Sequence, residues 1–347
     1  MTPRIRGIVF SYNRAMQLDA TLRSFYLHCQ DAHLVHLSVL YKADNPLHTR
    51  HYQILARDYP QVTFYPEKNF RRDTLKILTT GFFTPFIRLW FECFSYLINT
   101  QNIHSSILKH AITRQAQKMQ QRIASKKFPS ANGSYNFFLV DDNHFIGDFS
   151  MSEVIQALES NPDALGFSLR LGKNTSHSYT QDAYQKLPSF LQLSGKVLSY
   201  AWADADLSFG YPLEVSSSVY CAQLIAPLVS TLQFHQPNKL EGQMAACSSL
   251  FRKTHPRLLC LETSVTFCNP VNMVQQIFAN RAGETVNFTV QDLAERFERG
   301  ERIDMKTLNG FVPNGCHQEV KLNFICNPLI ENSSSQEKGK PVLHQGR

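Results

Sequence analysis

Along the first half of the chain, short and nearly continuous apolar runs alternate with segments of helical periodicity. Ile5 to Tyr12 (IRGIVFSY) is rich in β-branched residues, the pattern of a strand covered on both faces. Leu18, Leu22, Phe25, Tyr26 and Cys29 then recur on one face of a helix, and Leu34 to Tyr41 is a second strand. Tyr52, Leu55, Ala56 and Tyr59 mark a second helix closed by Pro60, and Val62 to Tyr65 is a third strand. This order predicts a parallel sheet, because each crossover is long enough to hold a helix.

From Thr74 to Lys127 the pattern is helical. Its first part, Thr79 to Ile98, carries Phe82, Phe83, Phe86, Leu89, Trp90, Phe91, Phe94 and Leu97, interrupted by Pro85, Arg88 and Glu92. The interruptions deny it an unbroken transmembrane span, so a buried helix or helix pair is expected ahead of an interfacial membrane helix. Arg114, Lys118, Arg122, Lys126 and Lys127 then line the solvated face of a basic helix. Asn132-Gly133-Ser134 is a turn signal, and the strand Asn136 to Val140 runs into Asp141-Asp142-Asn143. A helix at Ser150 to Ser160 and a strand at Leu165 to Leu171 continue the alternation. Beyond residue 175 the order loosens, with a strand near Val215 to Cys221 and a helix over Asn238 to Phe251. A last helix opens on a capping-box-like Thr289-Val290-Gln291-Asp292 and ends at Gly300. Residues 331 to 347 are polar and unpatterned, and read as a disordered tail.

A hydrophobic share of 43% over 347 residues is enough for a sizeable core. Lys and Arg exceed Asp and Glu by only 35 to 28, without the clustered basic footprint of a nucleic-acid binder, so no nucleic-acid partner is expected. A polyanionic small ligand, or a peripheral contact with an anionic membrane surface, is compatible. The eight cysteines form no C-x-x-C pair and read as buried free thiols. Met1 to Val9 carries no secretory signal, which predicts a cytoplasmic protein, at most at the inner face of a membrane. The sequons at Asn132, Asn174, Asn287 and Asn332 then carry no weight.

Two carboxylates at the carboxyl end of an apolar strand stand where open α/β sheets bind ligands. Asp141 and Asp142 are therefore candidate ligands for Mg²⁺ or Mn²⁺, against the alternative of a plain strand-to-loop turn. Three stretches sharpen the choice: Ile8-Val9-Phe10-Ser11-Tyr12-Asn13-Arg14 opening the first helix, Tyr41-Lys42-Ala43-Asp44 ending the second strand, and Phe138-Leu139-Val140-Asp141-Asp142-Asn143. Together they resemble the GT-A glycosyltransferases of the family 2 type. Tyr211-Pro212-Leu213-Glu214-Val215, Pro237 to Glu241, and Asn269-Pro270-Val271-Asn272-Met273-Val274-Gln275 with Asn280-Arg281-Ala282-Gly283 extend it to roughly residues 5 to 325, toward a bacterial glycosyltransferase-like branch. The chain departs from that pattern in having Asp-Asp-Asn for Asp-x-Asp and about fifty residues of helix before it.

The resemblance implies a GT-A-like, mostly parallel α/β sheet flanked by helices. It implies one catalytic domain over 1–330, with 1–73 and 128–175 binding the nucleotide, 74–127 as a helical insertion and 176–330 receiving the acceptor. Ser11, Tyr12, Asn13, Arg14, Asp44 and Asp141 would line the nucleotide pocket, and Asp141 and Asp142 would hold a divalent cation on the diphosphate of a nucleotide-diphosphate sugar. The acceptor would be a glycan, lipid or protein hydroxyl. An inverting enzyme needs a general base, and Glu241 falls where the family's acceptor-side acid does, although a Glu opening a helix is also favoured by the dipole. Asp204, Asp206 and Glu214 compete for that role. Trp202 is a candidate acceptor platform or a core residue; Arg72, Lys76 and Arg281 are candidate cations for the leaving group, and His144 and His255 for a metal site. Asn143 also leaves room for a non-catalytic GT-A-like module that binds a nucleotide sugar or glycan. A nucleotidyltransferase ranks last, since Ser11 to Met16 contains no glycine.

Overall fold

The structure is a computed structural model, and it describes residues 4–98, 106–125, 133–272, 281–283 and 288–326. In chain order the elements are β1 (Ile5–Tyr12), α1 (Ala15–His28), β2 (Val35–Lys42), α2 (Pro46–Asp58), β3 (Thr63–Pro66), α3 (Phe70–Thr79), α4 (Pro85–Ile98) and α5 (Ser106–Ala124). They continue with β4 (Tyr135–Val140), β5 (Asn143–Phe145), α6 (Met151–Ser160), β6 (Ala164–Ser168), β7 (His177–Ser178), β8 (Ala183–Tyr184), β9 (Leu191–Gln192) and β10 (Val197–Ala201). Last come β11 (Ser218–Cys221), α7 (Ala222–Ser230), α8 (Pro237–Ala246), β12 (Arg257–Leu261), β13 (Thr266–Cys268), α9 (Val290–Glu298), β14 (Glu301–Ile303) and β15 (Phe324–Cys326).

Among the described residues one nine-stranded sheet, in the order β3-β2-β1-β4-β11-β6-β12-β10-β9, carries the fold. The first four strands pair in parallel, as the helical crossovers require. Only β11 and β10 run against the other strands, so the sheet is mostly parallel in direction. Two-residue periodicity splits each central strand between two cores. Ile5 and Val9 face α1, α2, α6 and α9, whereas Ile8 and Phe10 face α3, α5, α7 and α8. Each such fully buried side chain is worth roughly 1.5–3 kcal/mol, and they fix the register of β1 between β2 and β4.

Local chemistry sets the helix ends. Asn45 caps α2 with Pro46 behind it, Asn69 caps α3, and Ser150 caps α6. Thr289 and Asp292 make the expected capping box of α9, and Gly300 follows it at φ +83°.

Three expectations need correcting. The helix expected over Asn238 to Phe251 stops at Ala246, and a separate 3₁₀ turn covers Ser248–Phe251. The strand expected to reach Leu171 ends at Ser168, which leaves Arg170 just beyond the edge. The aromatic stretch is only partly core: Phe91 is buried, but Phe86 and Leu89 are 80% and 58% exposed and Trp90 is exposed beside them. Pro85 starts a new helix there, and an apolar run that wide exceeds the one face α4 can lay on α3 and α7. No described helix is long and apolar enough to cross a membrane. The tail at 331–347, Lys126, Lys127, Asn132 and Met273–Asn280 lie outside the described residues.

Candidate active site

The carboxyl ends of β1, β2, β4 and β6 lie along one edge of the sheet, and the chemistry-bearing residues gather there. β1 ends in a tight turn at Ser11–Arg14, with Asn13 at φ +57°, a left-handed conformation that Asn tolerates better than most residues. The turn reaches both neighbouring strands. Toward β2, Tyr12 Oη donates to Asp44, Asn13 Nδ2 donates to Asp44 Oδ2 at 3.0 Å, and Asp44 N donates back to Asn13 Oδ1 at 3.0 Å. Lys42 Nζ lies 4.9 Å from the Tyr12 ring centre. This end is exposed, and the Tyr12 hydroxyl holds Asp44 below the usual carboxylate range while its own pKa rises to about 12.

Toward β4 the turn meets the acidic pair. Asp141 Oδ2 accepts from Ser11 Oγ at 2.9 Å and from Tyr12 N at 3.3 Å. Arg14 Nη1 is shared between Asp141 Oδ1 at 3.2 Å and Asp142 Oδ2 at 3.3 Å, and Nη2 donates to the carbonyl of Asn272. Beneath them Tyr52 completes a relay: Arg14 N donates to Tyr52 Oη at 3.2 Å, and Tyr52 Oη lies 2.7 Å from Ser11 Oγ. Because Ser11 spends its one proton on Asp141, Tyr52 is the donor to Ser11. Burial pushes the Asp142 carboxyl up to about 6, with Arg14 opposing and Asp141 reinforcing the shift.

Asn143 turns inward. It is fully buried, accepts from Val140 N at 2.9 Å and donates to Ser216 O at 2.9 Å, so its amide holds the turn and ligates nothing. The carboxylate missing from Asp-x-Asp is therefore missing at a structural position.

A second charged cluster sits beside the pair. Arg170, just past β6, donates from Nη1 to Ser216 Oγ at 2.6 Å, and its Nη2 lies 3.5 Å from Glu214 Oε2. Glu214 also accepts from Ser216 and Ser218 and is buried, so its oxygens are committed to holding the fold. Cys268 joins the clusters, with its thiol 3.4 Å from Asn143 Nδ2 and pushed up by burial and by Asp142.

Glu241 lies on the fifth residue of α8, and no acidic residue occupies the first turn of that helix. The dipole explanation therefore falls away. Glu241 is partly buried instead within reach of Arg170 and Glu214; burial pushes its pKa up to about 7, Arg170 lowers it and Glu214 raises it. Tyr211 is held in the same cluster, its pKa raised by burial and by Glu241.

The remaining candidates are dispersed. Asp204 and Asp206 are exposed. Trp202 is 4% exposed and donates Nε1–H to His255 O at 2.7 Å, so its ring is core and not an acceptor platform. His255 is buried with it. His144 packs edge-on against Phe267, and burial drives its pKa down to about 4. Arg281 pairs with Asp182 at 2.6 Å, and Arg72 and Lys76 are exposed on α3.

Among the described residues no group of three or more His, Cys, Asp and Glu is arranged for a metal. The pair itself still suits a hard cation. Its oxygens are the right donors, and a buried and a partly buried carboxylate face one guanidinium, one positive charge short.

No protein-family model matches the chain. The bifunctional glycosyltransferase pgtA of Dictyostelium discoideum is 24% identical over 302 residues, covering 80% of this chain and 33% of that protein. The chain is thus similar in sequence to a glycosyltransferase and spans a third of the length of that curated relative. Mouse xyloside xylosyltransferase 1 in its apo form aligns over 73% of this chain and 83% of its own, at 12% identity and a TM-score of 0.29. Core-mannan synthase A from Aspergillus fumigatus, in its Mn/GDP form, aligns over 70% and 71%, at 8% identity and a TM-score of 0.24.

Proposed function

We propose that this chain is a GT-A-type glycosyltransferase that moves a sugar from a nucleotide-diphosphate donor to an acceptor hydroxyl. One observation carries the reading: a single turn, Ser11–Arg14, is bonded on one side to Asp44 and on the other to Asp141 and Asp142, at the ligand-binding edge of an α/β sheet. The similarity to a glycosyltransferase over most of the chain supports it. Asn143 does not favour the non-catalytic alternative, because its amide is spent on the turn.

In this reading the base and ribose lie toward Tyr12, Asn13 and Asp44, and the diphosphate toward the acidic pair. Asp141 and Asp142 would hold a divalent cation, whose chemistry there is to neutralise the diphosphate as it leaves. Ser11 and the Tyr12 backbone keep Asp141 fixed, and Tyr52 fixes Ser11. Glu241 takes the acceptor proton, with Arg170 keeping its ionised form within reach near neutral pH. Peripheral contact with an anionic membrane belongs to the same reading, through the exposed start of α4.

A thermal-shift panel of nucleoside diphosphates with and without Mn²⁺ tests it. One nucleotide should raise the melting midpoint, and more so with the metal. No shift with any nucleotide would refute the donor site.

A further inference from the structure

Arg14 is an unusual neighbour for a pair of carboxylates that is to receive a divalent cation. Its guanidinium already stands between them, and although Nη2 is held by the carbonyl of Asn272, it is poorly matched to the two acids. One nitrogen serves both acids at 3.2 and 3.3 Å, longer than the 2.7–2.9 Å of a good charge-assisted bond and without the two parallel contacts of a bidentate fork. Nε is buried with no hydrogen-bond partner among the described residues. By contrast, Arg23 reaches Asp19 at 2.8 Å. The Arg14 side chain is only 10% exposed, so these shortfalls are not made good by bulk water. Removing it outright would leave a buried and a partly buried carboxylate facing each other, a far worse state.

We propose that Arg14 is the resident counter-ion of the Asp141–Asp142 pair and that a divalent cation binds by displacing it. The inference rests on the functional reading above and adds a residue role to it. Without metal, the guanidinium keeps the two acids from repelling each other and so keeps the end of β4 in place. Asp141 and Asp142 would hold a divalent cation in place of the guanidinium, since two positive charges at close range on one acidic pair repel each other. The displaced guanidinium stays on the same turn as Tyr12 and Asn13, where a diphosphate joined to a base held by those residues would meet it. Metal and nucleotide should therefore bind with positive coupling, since each supplies the charge that the other's arrival leaves unpaired.

The test is a Mn²⁺ titration without nucleotide, with free Mn²⁺ read by electron paramagnetic resonance. Arg14→Gln should bind Mn²⁺ on the order of ten- to a hundredfold more tightly than wild type. Arg14→Lys, which keeps a charge, should fall between them, and Asp142→Asn should abolish binding. Arg14→Gln binding Mn²⁺ no more tightly than wild type would overturn the proposal. Should Arg14→Gln not fold, the wild type gives the answer: with ¹⁵N-labelled arginine, Mg²⁺ should speed solvent exchange of the Arg14 Nε–H, and an unchanged exchange rate would overturn the proposal equally. A wrong donor reading shows separately, as failure of every nucleoside diphosphate to bind when Mn²⁺ is present.

Discussion

Replacing Glu241 by Gln separates a catalytic carboxylate from a structural one, because the two readings move different curves. Burial raises the Glu241 pKa from 4.5 to about 7, so the folded protein holds this proton where the unfolded chain has lost it. The sign follows directly: with more protons bound in the folded state, stability falls as pH rises across the window from 4.5 to about 7. At 1.36 kcal/mol per pKa unit the full effect is about 3 kcal/mol, present below the window and lost above it. A glutamine side chain carries no such charge. The variant should therefore be more stable than wild type at pH 8 by up to that amount, and close to it at pH 4.5. Transfer behaves in the opposite sense, because a base works only when ionised. Wild-type kcat/KM should climb to a plateau with an apparent pKa near 7, and Glu241→Gln should lose about 10²–10⁴-fold at the plateau while keeping donor affinity. The assays are melting midpoints at pH 4.5 and 8, and a pH profile of sugar transfer. Normal turnover in Glu241→Gln, with the stability gain at pH 8 still present, would leave Glu241 a structural acid and refute its role as base.

Asp142→Asn should lose Mn²⁺-dependent nucleotide binding with little change in melting, whereas Asp141→Asn should also lose about 1–3 kcal/mol because Ser11 and Tyr12 N depend on it; titration calorimetry and melting separate them. Asn143→Asp should restore no metal ligand and should lower the melting midpoint, since it sets a buried charge against the Ser216 carbonyl. Made polar together, Phe86, Leu89 and Trp90 should reduce sedimentation with anionic vesicles without lowering the melting midpoint, and a drop in that midpoint would return the segment to the core.

The parallel half of the sheet was legible because its information is local: an apolar run, a helical face and a closing proline each lie within a dozen residues. The order β4-β11-β6-β12-β10 was not, since those short strands take their neighbours from distant segments and two of them run antiparallel. At the site, strand ends could be read, so Ser11, Asp44 and Asp141 stood out. Tyr52 looked like one more residue on an apolar helix face, and only the fold puts its hydroxyl under Ser11. Arg170 did carry a signal, a lone charge inside an apolar run, but nothing local says that it meets Glu214. For Trp202 the competing interpretations needed burial to choose between them, and for Glu241 they needed the helix start.

The turn from Ser11 to Arg14 also acts as a ruler. It belongs to β1, the strand between β2 and β4, so the Asp44 end and the acidic end stand two strand spacings apart, about 10 Å. That span is set by backbone pairing and cannot stretch to suit a visitor. On the proposed donor reading, a free base would engage one end and a free phosphate the other, each with the weak affinity of a fragment. A molecule that rigidly joins the two at this separation gains the second contact at the high effective concentration its own bonds impose. On that reading selection by length would precede any selection by chemical group, because the strand pairing that fixes the span is the same for every ligand.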